Sequence, residues 1–84
     1  MKIKFWKENR LDKEFKISDL ELKKRFKVYL ENHQKGYPDF GREVNLFIHT
    51  SEGLNSVNDV KDYDKIVKVL IDVYDAFLQG VSNG

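Results

Sequence analysis

From Val60 to Leu78 apolar residues recur at the 3.6-residue spacing of an α-helix. Val60, Tyr63, Val67, Leu70, Ile71, Tyr74 and Leu78 make a stripe about 100° wide, the usual width for a helix facing a core. Ile66, Val69, Val73 and Phe77 widen it to roughly 200°. So broad an apolar surface must be sandwiched within its own chain or meet a second one. Only 84 residues are present to cover it. That length makes a single domain, residues 1–84, with a small core. A homodimer through Ile66, Val69 and Val73, or a protein partner at that surface, is one expectation.

The rest of the chain supplies the covering layers. Lys2-Ile3-Lys4-Phe5-Trp6-Lys7 and Lys13-Glu14-Phe15-Lys16-Ile17 both alternate polar and apolar, the period of a half-buried strand. The polar stretch Glu8–Asp12 between them reads as a hairpin loop of about five residues. Ile3, Phe5, Phe15 and Ile17 then share the core face, and Lys4, Trp6, Glu14 and Lys16 point the other way. Ser18-Asp19-Leu20-Glu21 is a capping box that starts a helix running to about Gln34. Its apolar stripe is Leu22, Phe26, Tyr29, Leu30 and His33, and Gly36 with Pro38 ends it. Val44–His49 alternates Val44, Leu46 and Ile48 against Asn45, Phe47 and His49, which predicts a third strand. Thr50–Asn58 has loop composition, and the last helix is expected from about Val60 to Leu78, with Gly80 as its stop. The order β-β-α-β-α implies an α+β domain: a three-stranded, mainly antiparallel sheet with two helices.

Composition closes off several classes. With 40% hydrophobic and 13% aromatic residues the chain is not disordered. No run approaches the roughly 18 apolar residues of a membrane span. Nothing behind Met1-Lys2-Ile3-Lys4 resembles the apolar region of a signal peptide. The absence of Cys excludes disulfides and thiolate metal sites and fits a cytoplasmic protein. A net charge of +1 hides an asymmetry: residues 1–42 carry 12 Lys and Arg against 7 Asp and Glu, and residues 43–84 carry 3 against 7. Such polarity points to protein or nucleic-acid partners, unless the two halves simply face each other in the fold.

The acidic share is concentrated in Asp59-Val-Lys-Asp62-Tyr-Asp64-Lys65-Ile-Val-Lys68-Val-Leu-Ile-Asp72. Carboxylates at a helix start can gather Mg²⁺, which takes oxygen ligands and keeps several waters. A lysine one turn further on can stabilise charge on a phosphate. The same residues also suit helix capping, macrodipole matching and i,i+4 pairing with Lys61, Lys65 and Lys68. The stretch Asp62-x-Asp64-x-x-x-Lys68-x-x-x-Asp72 resembles the core motif of the RusA family of Holliday-junction resolvases. The preceding Gly36-Tyr-Pro, apolar Val44–Ile48 and loop are similar in order. By that resemblance Asp62 and Asp64 would be magnesium ligands and Lys68 the phosphate-facing lysine. Lys65 stands where that family carries Asn, and its further acidic residues and last strand have no counterpart before Gly84.

Two further surfaces stand out. Lys4, Trp6, Lys16, Asn45, Phe47 and His49 would form an outer sheet face of aromatics among lysines, the arrangement that stacks and neutralises single-stranded nucleic acid. If the wide arc of the last helix covers that face, Trp6 and Phe47 are core instead. Lys23-Lys24-Arg25-Phe26-Lys27 makes helix one basic, either as a phosphate-binding face or as a solvated one. His33 reads as a core-edge residue, and His49 lies near Asp59 and Asp62 without forming a ligand signature. No complete catalytic set is present. The expected function is therefore that of a non-enzymatic binding protein, with Asp64, Asp72 and Asp75 on one side of the last helix able to occupy a site that takes DNA phosphates. Small, Lys-rich, Cys-free chains of this kind look like bacteriophage or mobile-element proteins that inhibit a nucleic-acid-processing partner. A RusA-like Mg²⁺-dependent endonuclease and a nucleic-acid-binding module are the alternatives.

Overall fold

The computed structural model describes residues 1–33, 39–56 and 59–83, the last three by backbone alone. Two strands, β1 (Lys2–Lys7) and β2 (Arg10–Lys16), form an antiparallel hairpin. Helices α1 (Asp19–Asn32) and α2 (Phe40–His49) follow. A two-residue strand, β3 (Asp59–Val60), then leads into α3 (Tyr63–Asn83). The sheet order is β2-β1-β3 with both pairings antiparallel, so β1 is central. The α+β class and the three-stranded antiparallel sheet stand as expected.

The hairpin turn is tighter than composition implies. Lys7 pairs with Arg10, leaving a two-residue turn of Glu8 (φ 48°) and Asn9 (φ 65°). Positive φ at both central positions matches the right-handed twist of the flanking strands. A bulge between Phe5 and Trp6 absorbs the extra residue and sets Trp6 opposite Leu11.

The third strand is not where alternation placed it. Val44–His49 is helical, the body of α2, and the described residues form three helices rather than two. Asp39 starts α2: its carboxylate accepts the Arg42 amide at 3.1 Å. Phe40, Val44, Phe47 and Ile48 then fall at i, i+4, i+7 and i+8, and the last three of them are buried. Leu46, grouped with Val44 and Ile48 by a period of two, is 36% exposed. A short apolar run satisfies both periods, and packing against the neighbouring helices selects the helical one.

The other elements hold with shifted ends. Ser18 caps α1 by accepting the Glu21 amide at 3.1 Å. Gln34, Gly36 and Pro38, expected at its end, lie outside the described residues, as does Asn58. The last helix starts later than Val60, at Tyr63, and continues through Gly80 to Asn83. Nothing crowds the position a side chain would take at Gly80, and the low helix propensity of glycine alone does not stop the chain there.

The core lies on one face of the sheet. Ile3 and Phe5 meet Leu22, Phe26, Tyr29 and Leu30 of α1, Val44, Phe47 and Ile48 of α2, and Ile66, Leu70 and Tyr74 of α3. Phe26, Tyr29 and Phe47 form an aromatic knot with edge-on approaches at 5.1 and 5.5 Å. The wide arc of α3 is thus covered in part: Ile66, Leu70 and Tyr74 are buried, Val67, Phe77 and Leu78 are half-buried, and Ile71, expected in the core stripe, is 38% exposed. Ile66 is fully buried, which removes it from any dimer surface; Val69 and Val73 are partly buried against the same core. Among the described residues no helix is long and apolar enough to cross a membrane.

Candidate functional site

The junction of β1, β3 and α3 decides what the acidic motif can do. Phe5 pairs with Val60 and Trp6 with Asp59, and there the ladder of β3 ends. The next amide on that side of β1, that of Lys4, donates instead to Asp62 Oδ2 at 3.1 Å. The Asp62 carboxylate replaces a strand carbonyl at the point where the chain turns into α3. Its own carbonyl accepts the amides of Lys65 (3.1 Å) and Ile66 (3.2 Å), opening the helix. Lys65 Nζ stands 3.9 Å from Asp62 Oδ1. Asp62 is therefore engaged by backbone and by a neighbouring lysine.

The other acidic residues go elsewhere. Asp64, Asp72 and Asp75 are exposed on the side of α3 opposite the buried Ile66, Leu70 and Tyr74, with Lys65 and Lys68 exposed among them. Helical spacing brings Asp64, Lys68, Asp72 and Asp75 onto one outward arc. Among the described residues no three His, Asp or Glu side chains gather in a way that could hold a metal ion. The motif that resembles a resolvase core is thus spread between a backbone hydrogen bond and an open helix face.

A second surface is the sheet face turned away from the helices. Burial of Ile3 and Phe5 sends Lys2, Lys4 and Trp6 the other way, beside Glu14 and Lys16 of β2. Lys2, Lys4, Glu14 and Lys16 are exposed, as is Leu11 at 50%. The face is open to solvent. Lys2 Nζ and Glu14 Oε1 stand 3.7 Å apart, a pair worth little at such exposure. Just past β3, Lys61 Nζ lies 4.0 Å above the centre of the half-buried Trp6 ring. That approach was not legible in sequence, because residues 6 and 61 meet only through the β1–β3 pairing. Phe47, Asn45 and His49 do not belong to this face: they are on α2, and Phe47 is fully buried in the aromatic knot.

The two histidines make contacts within the fold. His49 Nδ1 donates to the Ser56 carbonyl at 2.9 Å and ties α2 to the following loop. His33 pairs with Glu52 and lies 4.4 Å from the Tyr29 ring. Burial, then Glu43 and Glu52, raise the Tyr29 hydroxyl above its ordinary pKa. Burial, then Asp39, Glu43 and Asp75, do the same for Tyr74. On α1, Lys24, Arg25 and Lys27 are exposed; Arg25 meets Glu21 at 3.3 Å and lies 5.7 Å over the Phe15 ring.

No family model, curated protein sequence or solved structure matches this chain.

Proposed function

We propose that this is a small non-enzymatic binding protein that acts through its surface on a macromolecular partner. One observation carries the reading. Asp64, Asp72 and Asp75 project from a rigid helix into solvent, while Asp62, which a two-aspartate metal site would need beside Asp64, is bound to the Lys4 amide. Asp64 and Asp72 are about 12 Å apart along the helix axis. Carboxylates spaced along a helix suit a groove that otherwise takes nucleic-acid phosphates. The partner on this reading is a nucleic-acid-processing protein, which the chain would inhibit in the manner of phage or mobile-element proteins. A cytoplasmic setting agrees with the absence of Cys.

The test compares the full chain with its Asp64→Asn/Asp72→Asn/Asp75→Asn variant as bait in a cell extract, with mass spectrometry of what each retains. The reading expects a protein held by the first and lost by the second, with unchanged circular dichroism. Identical retained sets overturn it. So does Mg²⁺-dependent cleavage of a branched DNA that disappears in Asp64→Asn, the behaviour of a RusA-like endonuclease using Asp62, Asp64, Lys68 and Asp72.

A further inference from the structure

We infer that the open sheet face is a docking platform for single-stranded nucleic acid, with Trp6 as the stacking ring and Lys61 as its displaceable cover. The inference rests on the reading that the protein works by binding, and it uses a different surface from α3.

Charge favours a polyanion. Lys2, Lys4 and Lys16 share the face of Trp6 and Lys61 lies over its ring, against Glu14, Asp59 and, at the edge of β1, Asp62, which is engaged by the Lys4 amide and stands 3.9 Å from Lys65. Glu14 is already beside Lys2. The lysines stand on the pleat of two hydrogen-bonded strands and on the residue after the third, so the sheet fixes their spacing. The unbranched stems of Lys4 and Lys16 let their ammonium groups follow a backbone.

The Trp6 ring selects an unpaired base over a duplex. Its indole nitrogen is buried, and one face of the ring lies beneath the Lys61 ammonium. Lys61 now occupies that face. Lys61 is exposed, and the cation–π contact of a solvated ammonium is weaker than the stacking of a base on an aromatic ring. A base that takes the ring therefore gains more than the ammonium loses, and the freed Lys61 ammonium is left beside the phosphates of the same strand. A duplex keeps its bases stacked inside and cannot make this exchange. An acidic peptide would satisfy the lysines but has nothing to stack on Trp6.

Trp6 is the only tryptophan, so its fluorescence reports on the ring directly. A short oligothymidylate titrated at low salt should quench it, and a duplex of equal length, heparin or polyglutamate should not. Lys4→Gln with Lys16→Gln should weaken binding roughly tenfold and lower the salt dependence by about 0.7 in log–log slope for each phosphate no longer neutralised. Lys61→Met should make free Trp6 more accessible to acrylamide while the oligonucleotide still quenches it. Trp6→Leu, followed with a labelled oligonucleotide, should weaken binding by roughly tenfold. If that variant does not fold, the exposed lysine pair carries the test.

No fluorescence change and no binding of the oligonucleotide at low salt overturns the inference. Equal binding of heparin, duplex or polyglutamate, without a response of Trp6, overturns it too. The Asp64/Asp72/Asp75 variant should bind the oligonucleotide as well as the parent chain does. Loss of oligonucleotide binding with retained capture through α3 sinks this inference alone, and the reverse pattern sinks only the α3 reading.

Discussion

The Lys4 amide and the Asp62 carboxylate, 3.1 Å apart, join the central strand to the start of the last helix. They lie 58 positions apart in the chain. Loss of the carboxylate strips the Lys4 amide of its partner at the end of a two-residue strand. Asp62→Ala should cost about 1–2 kcal/mol in urea unfolding, and Asp62→Asn only a few tenths, because its side-chain carbonyl still accepts. Equal losses for both variants would mean that the negative charge, rather than the acceptor, is what matters.

Gly53 is confined by sterics rather than by its backbone angle. A Cβ there would lie 1.7 Å from the Phe47 carbonyl oxygen and 2.8 Å from its ring. That oxygen also accepts the Leu54 amide at 2.9 Å, so it cannot move away freely. Gly53→Ala should destabilise by about 3 kcal/mol or more, seen as a large fall in Tm. A wild-type Tm would disprove the close approach.

The Glu8–Asn9 turn places two non-glycine residues at positive φ. Asn lowers the cost at Glu8, and Gly lowers it further at Asn9. Replacing the pair by Asn-Gly should stabilise the protein by about 1 kcal/mol without changing the m-value. Destabilisation would indicate that the strands do not meet through a two-residue turn.

Leu46 and Phe47 separate the helical from the extended reading of α2. Leu46→Ser should change stability by less than about 0.5 kcal/mol, since its side chain leans toward solvent. Phe47→Ala should cost about 3–5 kcal/mol, because Phe26 and Tyr29 are left facing the hole where the ring between them stood. In a strand with Leu46 on the core face the order of the two effects would reverse.

Burial of Tyr29 and Tyr74 makes the fold sensitive to alkaline pH. Both hydroxyls have folded-state pKa values raised above 10.0, so the fold favours their neutral forms. Their contribution is complete below pH 10.0 and is lost as pH rises through the higher folded values. Denaturant midpoints should therefore fall above that pH, and Tyr29→Phe with Tyr74→Phe should flatten the fall. An unchanged slope in the double variant would assign the alkaline loss to other groups.

Local signals carried the hairpin strands, the capping box of α1 and the amphipathic body of α3, because each is written in neighbouring residues: an alternation, a Ser-x-x-Glu, a repeat of 3.6. The α+β class followed from them. The residues 44–48 carried no such decision. Their short apolar run fits a strand and a helix alike, and only the aromatic knot with Phe26 and Tyr29 makes the helix the better burial. With that run in a helix, the third place in the sheet passed to Asp59–Val60, a pair too short to announce itself.

The same division holds for the candidate sites. Composition and spacing marked the aspartates, the lysines and Trp6 as the chemistry-bearing residues. Which of them face one another depended on approaches across the chain: Asp62 to Lys4, Lys61 to Trp6, and Ile66 and Phe47 into the core. A sequence pattern records the side of its own element on which a residue lies. What stands opposite that side is set by how the elements pack, and packing is a property of the whole molecule.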